Sequence, residues 1–413
     1  MSTDYLPRLV DDQLARALRS TGAVVLEGPK ACGKTSTASQ QAASAVRLDS
    51  NPPLRTAALT DATILLPGPV PRLIDEWQLV PDVWNVVRAE VDARQADGQF
   101  ILTGSATPAD DVSRHTGAMR FARVRMAPMS LFESRDSAGG IRLGEVLDGQ
   151  RPSSAGTSAT LGDVADLLCR GGWPPNLRRT TEEAQEANRD YLRSMVAADL
   201  PGEPARDPIK LAALLRALAR AVGTYTSAAT LIRDVTGTGE TLNPRTLTSY
   251  LDALARLWVV VDQRAWGGHL RSSTPARKAP KRHLADPSLA AAALGASPAA
   301  LLADPETFGQ LFESMAFRDL SVYAQALGWE PYSYQDSASE IDVVLVRDGA
   351  WAGIEVKLTG SSPAVLDAAA AGLLRVADRM RSTPVALAVV TATGPSYRRA
   401  DGVDVIALTD LRP

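Results

Sequence analysis

Eight consecutive residues, Gly28-Pro29-Lys30-Ala31-Cys32-Gly33-Lys34-Thr35, form a complete GxxxxGK[ST] run between an apolar stretch, AVVLE at 23–27, and a helix-like one. The chemistry this spacing serves is the holding of a phosphate chain. Glycines let the backbone from Gly28 to Gly33 wrap so that its N–H groups point at phosphate oxygens, and the start of the following helix adds its positive dipole end. Lys34 is a point charge for β- and γ-phosphates, and Thr35 offers a hydroxyl to Mg²⁺, so ATP and Mg²⁺ are the expected ligands. A strand ending in an acid is then required. Pro71-Arg72-Leu73-Ile74-Asp75-Glu76 supplies it, with Asp75 for the metal and Glu76 placed to polarise an attacking water.

A second set of chemically suggestive residues lies far downstream. Glu340-Ile341-Asp342 opens one strand candidate, and Glu355-Val356-Lys357 lies in the next. Residues two apart on a strand face the same side, so Glu355 and Lys357 project together, and Asp342 joins them if the two strands pair. Two carboxylates that hold Mg²⁺ and a lysine that positions water and offsets negative charge are what metal-dependent phosphodiester cleavage needs. The bland reading is a half-exposed sheet face with alternating charges.

The elements that must position these groups follow from periodicity. Up to residue 133, short apolar runs (23–27, 72–75, 100–104) alternate with helix-like stretches, the pattern of a parallel α/β sheet. Residues 134–163, rich in Gly, Ser and Asp, read as a linker with one short ordered piece. Residues 164–300 are mainly helical. The region 301–413 predicts a long helix, strands at 330–335, 341–347 and 351–358, a helix at 362–381, and strands at 384–391 and 403–408.

Composition narrows the classes. With 413 residues, 45% hydrophobic and 22% charged, the chain is of globular type, and its net charge of −3 argues against a basic nucleic-acid coat protein. Cys32 and Cys169 exclude a disulfide framework, and His115, His269 and His283 lack metal-ligand spacing. The acidic, polar start and the absence of a run of about 18 apolar residues predict a cytoplasmic protein without membrane spans. Only six of the 44 basic residues are lysine. In so arginine-rich a chain, Lys34 and Lys357 stand where arginine's wide planar head would serve poorly. Residues 264–282 carry Arg264, Arg271, Arg277, Lys278, Lys281 and Arg282 without an acid, a local candidate for DNA or RNA phosphate contact or simply a solvated loop.

The third apolar run, Phe100-Ile101-Leu102-Thr103-Gly104-Ser105, brings a resemblance into view. The sequence resembles the AAA+ ATPases, whose corresponding strand ends in a polar sensor; the resemblance gives that role to Thr103 or Ser105. The run from Gly117 through Arg120 to Pro128-Met129-Ser130-Leu131-Phe132-Glu133 is similar to one bacterial and archaeal AAA+ branch. It marks Arg120 as an arginine finger or sensor, with Met119 where the family pattern has Gly. The region from 305 to 391 resembles the PD-(D/E)xK nuclease-type fold, which adds Glu313 as a further metal-holding acid beside Asp342 and Glu355. Together with Gly171-Gly172-Trp173-Pro174, the helices to 260 and Lys281-Arg282-His283-Leu284-Ala285-Asp286, the chain resembles AAA+ ATPases fused to a winged-helix and nuclease-like region. That resemblance implies three parts: an AAA+ parallel-sheet domain, a helical winged-helix domain with Asn243–Leu257 as recognition helix and 264–282 as wing, and a restriction-endonuclease-like α/β domain. It implies either a Mg²⁺-dependent ATPase acting on DNA or RNA, with nuclease activity open, or an ATP-switched binding protein with a silent nuclease-like scaffold and a protein partner. Homo-oligomers are usual in such families.

Overall fold

A computed structural model describes residues 5–105, 117–197, 206–268, 279–337, 339–359 and 362–413. Arg271, Arg277 and Lys278 of the basic stretch lie outside them. The chain divides into two compact units, the first built on Met1–Pro128 with Leu251–Val259, the second on Met129–Ala198, Arg206–Tyr250 and Val260–Pro413.

The first unit follows the strand–helix alternation legible in the sequence. It runs α1 (Val10–Leu18), β1 (Ala23–Glu27), α2 (Lys34–Gln41), β2 (Ser44–Arg47), α3 (Pro52–Thr60), β3 (Arg72–Asp75), α4 (Val83–Arg94), β4 (Phe100–Gly104) and β5 (Phe121–Arg125). All five strands pair in parallel, in the order β2-β3-β4-β1-β5. The inner strands β1, β3 and β4 are unbroken apolar runs because helices cover both faces of a parallel sheet. One core is formed by Trp77, Val83, Trp84 and Val87 against Val25, Ile74 and Leu102. Register puts Asp75 beside Thr103, and Thr103 beside Leu26, so the C-terminal ends of the three inner strands lie level.

The chain continues with β6 (Ile141–Arg142), α5 (Leu143–Leu147), β7 (Ser153–Ser154), α6 (Leu161–Arg170), α7 (Thr181–Val196), α8 (Pro208–Arg220), α9 (Ala228–Thr236), α10 (Pro244–Arg256), β8 (Val260–Gln263) and β9 (Lys281–Leu284), all in the second unit except α10 from Leu251 on. There follow α11 (Pro287–Leu294), α12 (Pro298–Ala303), α13 (Pro305–Leu327), β10 (Glu330–Gln335), β11 (Glu340–Arg347), β12 (Ala350–Lys357), α14 (Pro363–Ala377), β13 (Ala386–Thr391), β14 (Ser396–Arg398), β15 (Asp404–Ala407) and β16 (Leu411–Arg412). The alanine-rich α11 is a buried hub against α6, α7, α8 and α13, its small side chains allowing close helix approach. No described helix is long and apolar enough to cross a membrane.

Seven strands form the C-terminal sheet in the order β10-β11-β12-β13-β15-β14-β7. β10, β11 and β12 are an antiparallel meander; β12, β13 and β15 pair in parallel, with α14 as the crossover. The expected linker at 134–163 is corrected here. β7 extends that sheet through β14, β6 pairs with β16, and Ile141, Leu143, Val146 and Leu147 are buried. Two-residue strands pair through their backbone, so a Ser/Gly composition does not disclose them.

Candidate functional sites

In the first unit, β1 leads through the phosphate-binding loop into α2, which opens at Lys34. Its N-cap, Gly33, takes the left-handed φ of +104°, a conformation glycine adopts freely, and no side chain caps the helix. A Cβ at Gly28 would lie 2.1 Å from the Met126 carbonyl oxygen, so the loop passes too close to its neighbour for any larger residue. Arg8 braces the same region, donating to the carbonyls of Cys32 and Ala127 at 2.8 Å each. Lys34 is buried, and its Nζ donates to the Gly28 and Pro29 carbonyls at 2.9 and 2.8 Å. Lys30 and Ala31 are exposed at the loop's outer turn. Cys32 is fully buried, so its thiol belongs to the core.

Asp75, at the end of β3, accepts from Thr35 Oγ1 at 2.9 Å and from Thr103 Oγ1. Burial raises the Asp75 carboxyl above its usual range, opposed by these two hydroxyls. Glu76 has a left-handed backbone, φ +56°, which is uncommon for a side chain of this size and turns its carboxylate off the strand. There it accepts from Ser105 Oγ at 3.0 Å and from Gln78 Nε2. Thr35, Asp75 and Thr103 therefore form one hydrogen-bonded group; Glu76, Ser105 and Gln78 form another. Gln78 carried no signal in the sequence, because its role depends on the turn at Glu76.

Arg120 lies apart from the groups around Asp75 and Glu76. Because β5 runs parallel to β1, with Phe121 opposite Ala23, Arg120 stands at the edge of the sheet away from its own phosphate-binding loop. It pairs with Asp92 at 2.8 Å, both partly exposed. Met119 has a left-handed backbone, φ +67°, a conformation glycine adopts freely, and is 92% exposed.

In the second unit, the pairing of β11 with β12 sets Asp342 next to the Glu355 end of β12, and Asp342 Oδ2 accepts from the Val356 N–H at 2.8 Å. Lys357 Nζ lies 2.7 Å from Glu355 Oε1. Glu313 joins from α13. The residue that the sequence reading placed wrongly is Lys281. Expected in a solvated wing, it is 1% exposed, with Nζ 2.8 Å from Glu313 Oε1, 2.5 Å from Glu340 Oε1 and 3.4 Å from Asp342 Oδ1. Burial alone would lower the Lys281 pKa, but the carboxylates together outweigh it and raise it. Burial, reinforced by Asp342, pushes Glu313 and Glu355 up to about 7. Among the described residues no three of His, Cys, Asp and Glu are arranged to hold a metal ion.

The hairpin of β8 and β9 delivers two further buried polar groups. His283 lies 3.0 Å from both Ser314 Oγ and Gln263 Oε1 and stacks on Phe317. Burial, with Lys281 nearby, lowers its pKa to about 3, so it is folded in as the neutral imidazole. The sign follows. An unfolded chain binds a proton at His283 below about pH 6.5 while the folded one does not, so this residue's stabilising effect is lost as pH falls, at about 1.4 kcal/mol per pH unit. Urea denaturation of His283→Gln is expected to show a flatter loss between pH 6.5 and 5 than wild type; equal slopes would refute the neutral assignment.

The five-stranded parallel sheet with its loop at the end of β1 defines an AAA domain of the P-loop ATPase class. An AAA domain family model matches residues 20–134, and two domains of unknown function, DUF8612 and DUF4143, match 161–300 and 308–411. Uncharacterised proteins of Mycobacterium tuberculosis and Mycobacterium bovis are each 30% identical over 365 residues, covering 86% of this chain and 74% of theirs. The chain belongs to the same family as these mycobacterial proteins. A solved structure, the Walker-type ATPase PABY2304 of Pyrococcus abyssi, aligns with 71% of this chain and 97% of its own at 13% identity and a TM-score of 0.46.

Proposed function

We propose that the protein is a Mg²⁺-dependent ATP hydrolase whose nucleotide state governs its C-terminal unit. The observation that carries this reading is the pairing of Thr35 and Thr103 with Asp75 beside a buried Lys34. The donor set suits Mg·ATP: Gly28 to Gly33 would offer backbone N–H groups, Lys34 a charge for the terminal phosphates, and Thr35 and Asp75 oxygens to the metal's coordination shell. Bound there, Mg²⁺ would supply neutralisation of phosphate charge. Glu76, aimed by Ser105 and Gln78, would orient the attacking water and take its proton. Thr103 spends its hydroxyl on Asp75, which favours Ser105 as the sensor. Arg120 faces away from its own loop, so the finger role belongs to a homo-oligomer in which one copy's Arg120 serves another.

The proposed setting is cytoplasmic, and the proposed partner of the helical region is DNA or RNA, met through α8, α9, α10 and the β8–β9 hairpin in winged-helix order, with Arg264 exposed beside the hairpin. A second reading, an ATP-switched protein with a silent nuclease-like scaffold and a protein partner, is favoured by the burial of Lys281 among carboxylates. Steady-state phosphate release with Mg·ATP, alone and with each nucleic-acid class, tests the proposal. The expected result is release faster in wild type than in Lys34→Ala, stimulated by DNA or RNA. Equal rates under every condition overturn the hydrolase reading, and basal release without stimulation favours the second.

A further inference from the structure

The nuclease-like resemblance calls for a divalent cation held by Asp342 and Glu355, with Glu313 beside them. The side chains do not fit that ion. Lys281 Nζ already stands within 2.8 Å of Glu313 and 3.4 Å of Asp342, and it also reaches Glu340 at 2.5 Å. Mg²⁺ bound through Asp342 and Glu313 at the usual ~2.1 Å would share those oxygens with an ammonium only a few ångströms away, two cations with little water between them. Asp342 Oδ2, its other oxygen, is engaged by the Val356 N–H, and Glu355 by Lys357.

Lys281 is not free to leave. Its hairpin is stitched to the sheet: Gln263 Nε2 donates to the Asp342 carbonyl at 2.7 Å and the Tyr332 carbonyl at 3.0 Å, the Ser333 N–H donates to Arg264 O at 2.9 Å, and the Trp266 N–H donates to Ser333 O at 2.6 Å. On the other strand, Arg282 O accepts from the Gly223 N–H at 2.8 Å, and His283 bonds Ser314 of α13. Gln263, Lys281 and His283 are each at most 2% exposed. The seam that joins hairpin, α13 and sheet fixes the backbone of Lys281, and its side chain, 1% exposed, is enclosed beneath it.

We infer that Lys281 is a built-in counter-ion occupying the position a metal would need, and that the C-terminal unit is a lysine-bridged scaffold rather than a metal-dependent phosphodiesterase. Four carboxylates then share two internal ammonium groups. Glu313, Glu340 and Asp342 answer to Lys281, and Glu355 answers to Lys357. The inference stands apart from the ATPase reading, which concerns the other unit.

Mn²⁺ binding to the nucleotide-free full-length protein, followed by the electron paramagnetic resonance signal of free Mn²⁺, tests it. Wild type and Asp342→Asn are expected to bind Mn²⁺ alike, because Asp342 holds no metal. Lys281→Ser, which removes the ammonium and opens space among the carboxylates, is expected to gain a site that Lys281→Ser/Asp342→Asn lacks. Wild-type binding that Asp342→Asn abolishes overturns the inference, as does a folded Lys281→Ser, judged by circular dichroism, that gains nothing. Where Lys281→Ser does not fold, the comparison of wild type with Asp342→Asn decides alone. Phosphate release by these variants reports separately on the ATPase.

Discussion

Replacing Glu76 with Gln is expected to slow phosphate release from ATP at least about a hundredfold while leaving nucleotide affinity nearly unchanged, the effect typical of losing a general base. Glutamine preserves the shape of the side chain and an acceptor oxygen for Ser105 and Gln78, so the turn at φ +56° and the pairing around it should persist. What disappears is the ability to take a proton from water. Asp75 next door cannot substitute, since its oxygens are engaged by Thr35 and Thr103. Single-turnover phosphate release and titration with a fluorescent ATP analogue separate the two quantities. A variant that hydrolyses ATP at the wild-type rate would assign the base elsewhere, and one that fails to bind would make Glu76 a structural residue.

The second large effect concerns stability. Lys281→Met removes the cation from Glu313, Glu340 and Asp342, and uncompensated buried charge typically costs about 3–5 kcal/mol. Part of that is recovered by protonation. With the ammonium gone, the carboxyl groups hold their protons to higher pH than in the unfolded chain, so the unfolded state ionises first as pH rises above about 4.5. The deficit should therefore be large at pH 8 and smaller at pH 5, read from urea midpoints of variant and wild type at both. A pH-independent deficit would point to lost packing of the lysine stem instead.

These two residues mark how far the chain could be read unaided. The position of Glu76 was legible because it lies in a contiguous run, at the end of a strand one crossover after the glycine-rich loop; local spacing carried its place. The three inner strands of the first sheet, and β11 to β13 of the second, were legible for the same reason, since largely apolar runs mean strands covered on both faces. β6 and β7 were not, because a two-residue strand is defined by its partner's backbone and leaves no periodicity of its own. The place of Arg120 was not legible either: the motif around it was recognisable, but a parallel strand places its first residue at the opposite edge from its last, away from its own phosphate-binding loop.

Lys281 shows the limit most clearly. In the sequence it stands in an acid-free basic stretch, which argued for phosphate contact or solvent. By itself, the sequence determined the phosphate-binding loop, the acid that follows it and the order of elements, all consequences of short-range spacing. Only tertiary structure decided what surrounds each charge. Pairing of β8 with β9 and their seam to the sheet bring Lys281 onto carboxylates 32, 59 and 61 residues away. Electrostatic partnership depends on distance through space, which periodicity along the chain does not encode.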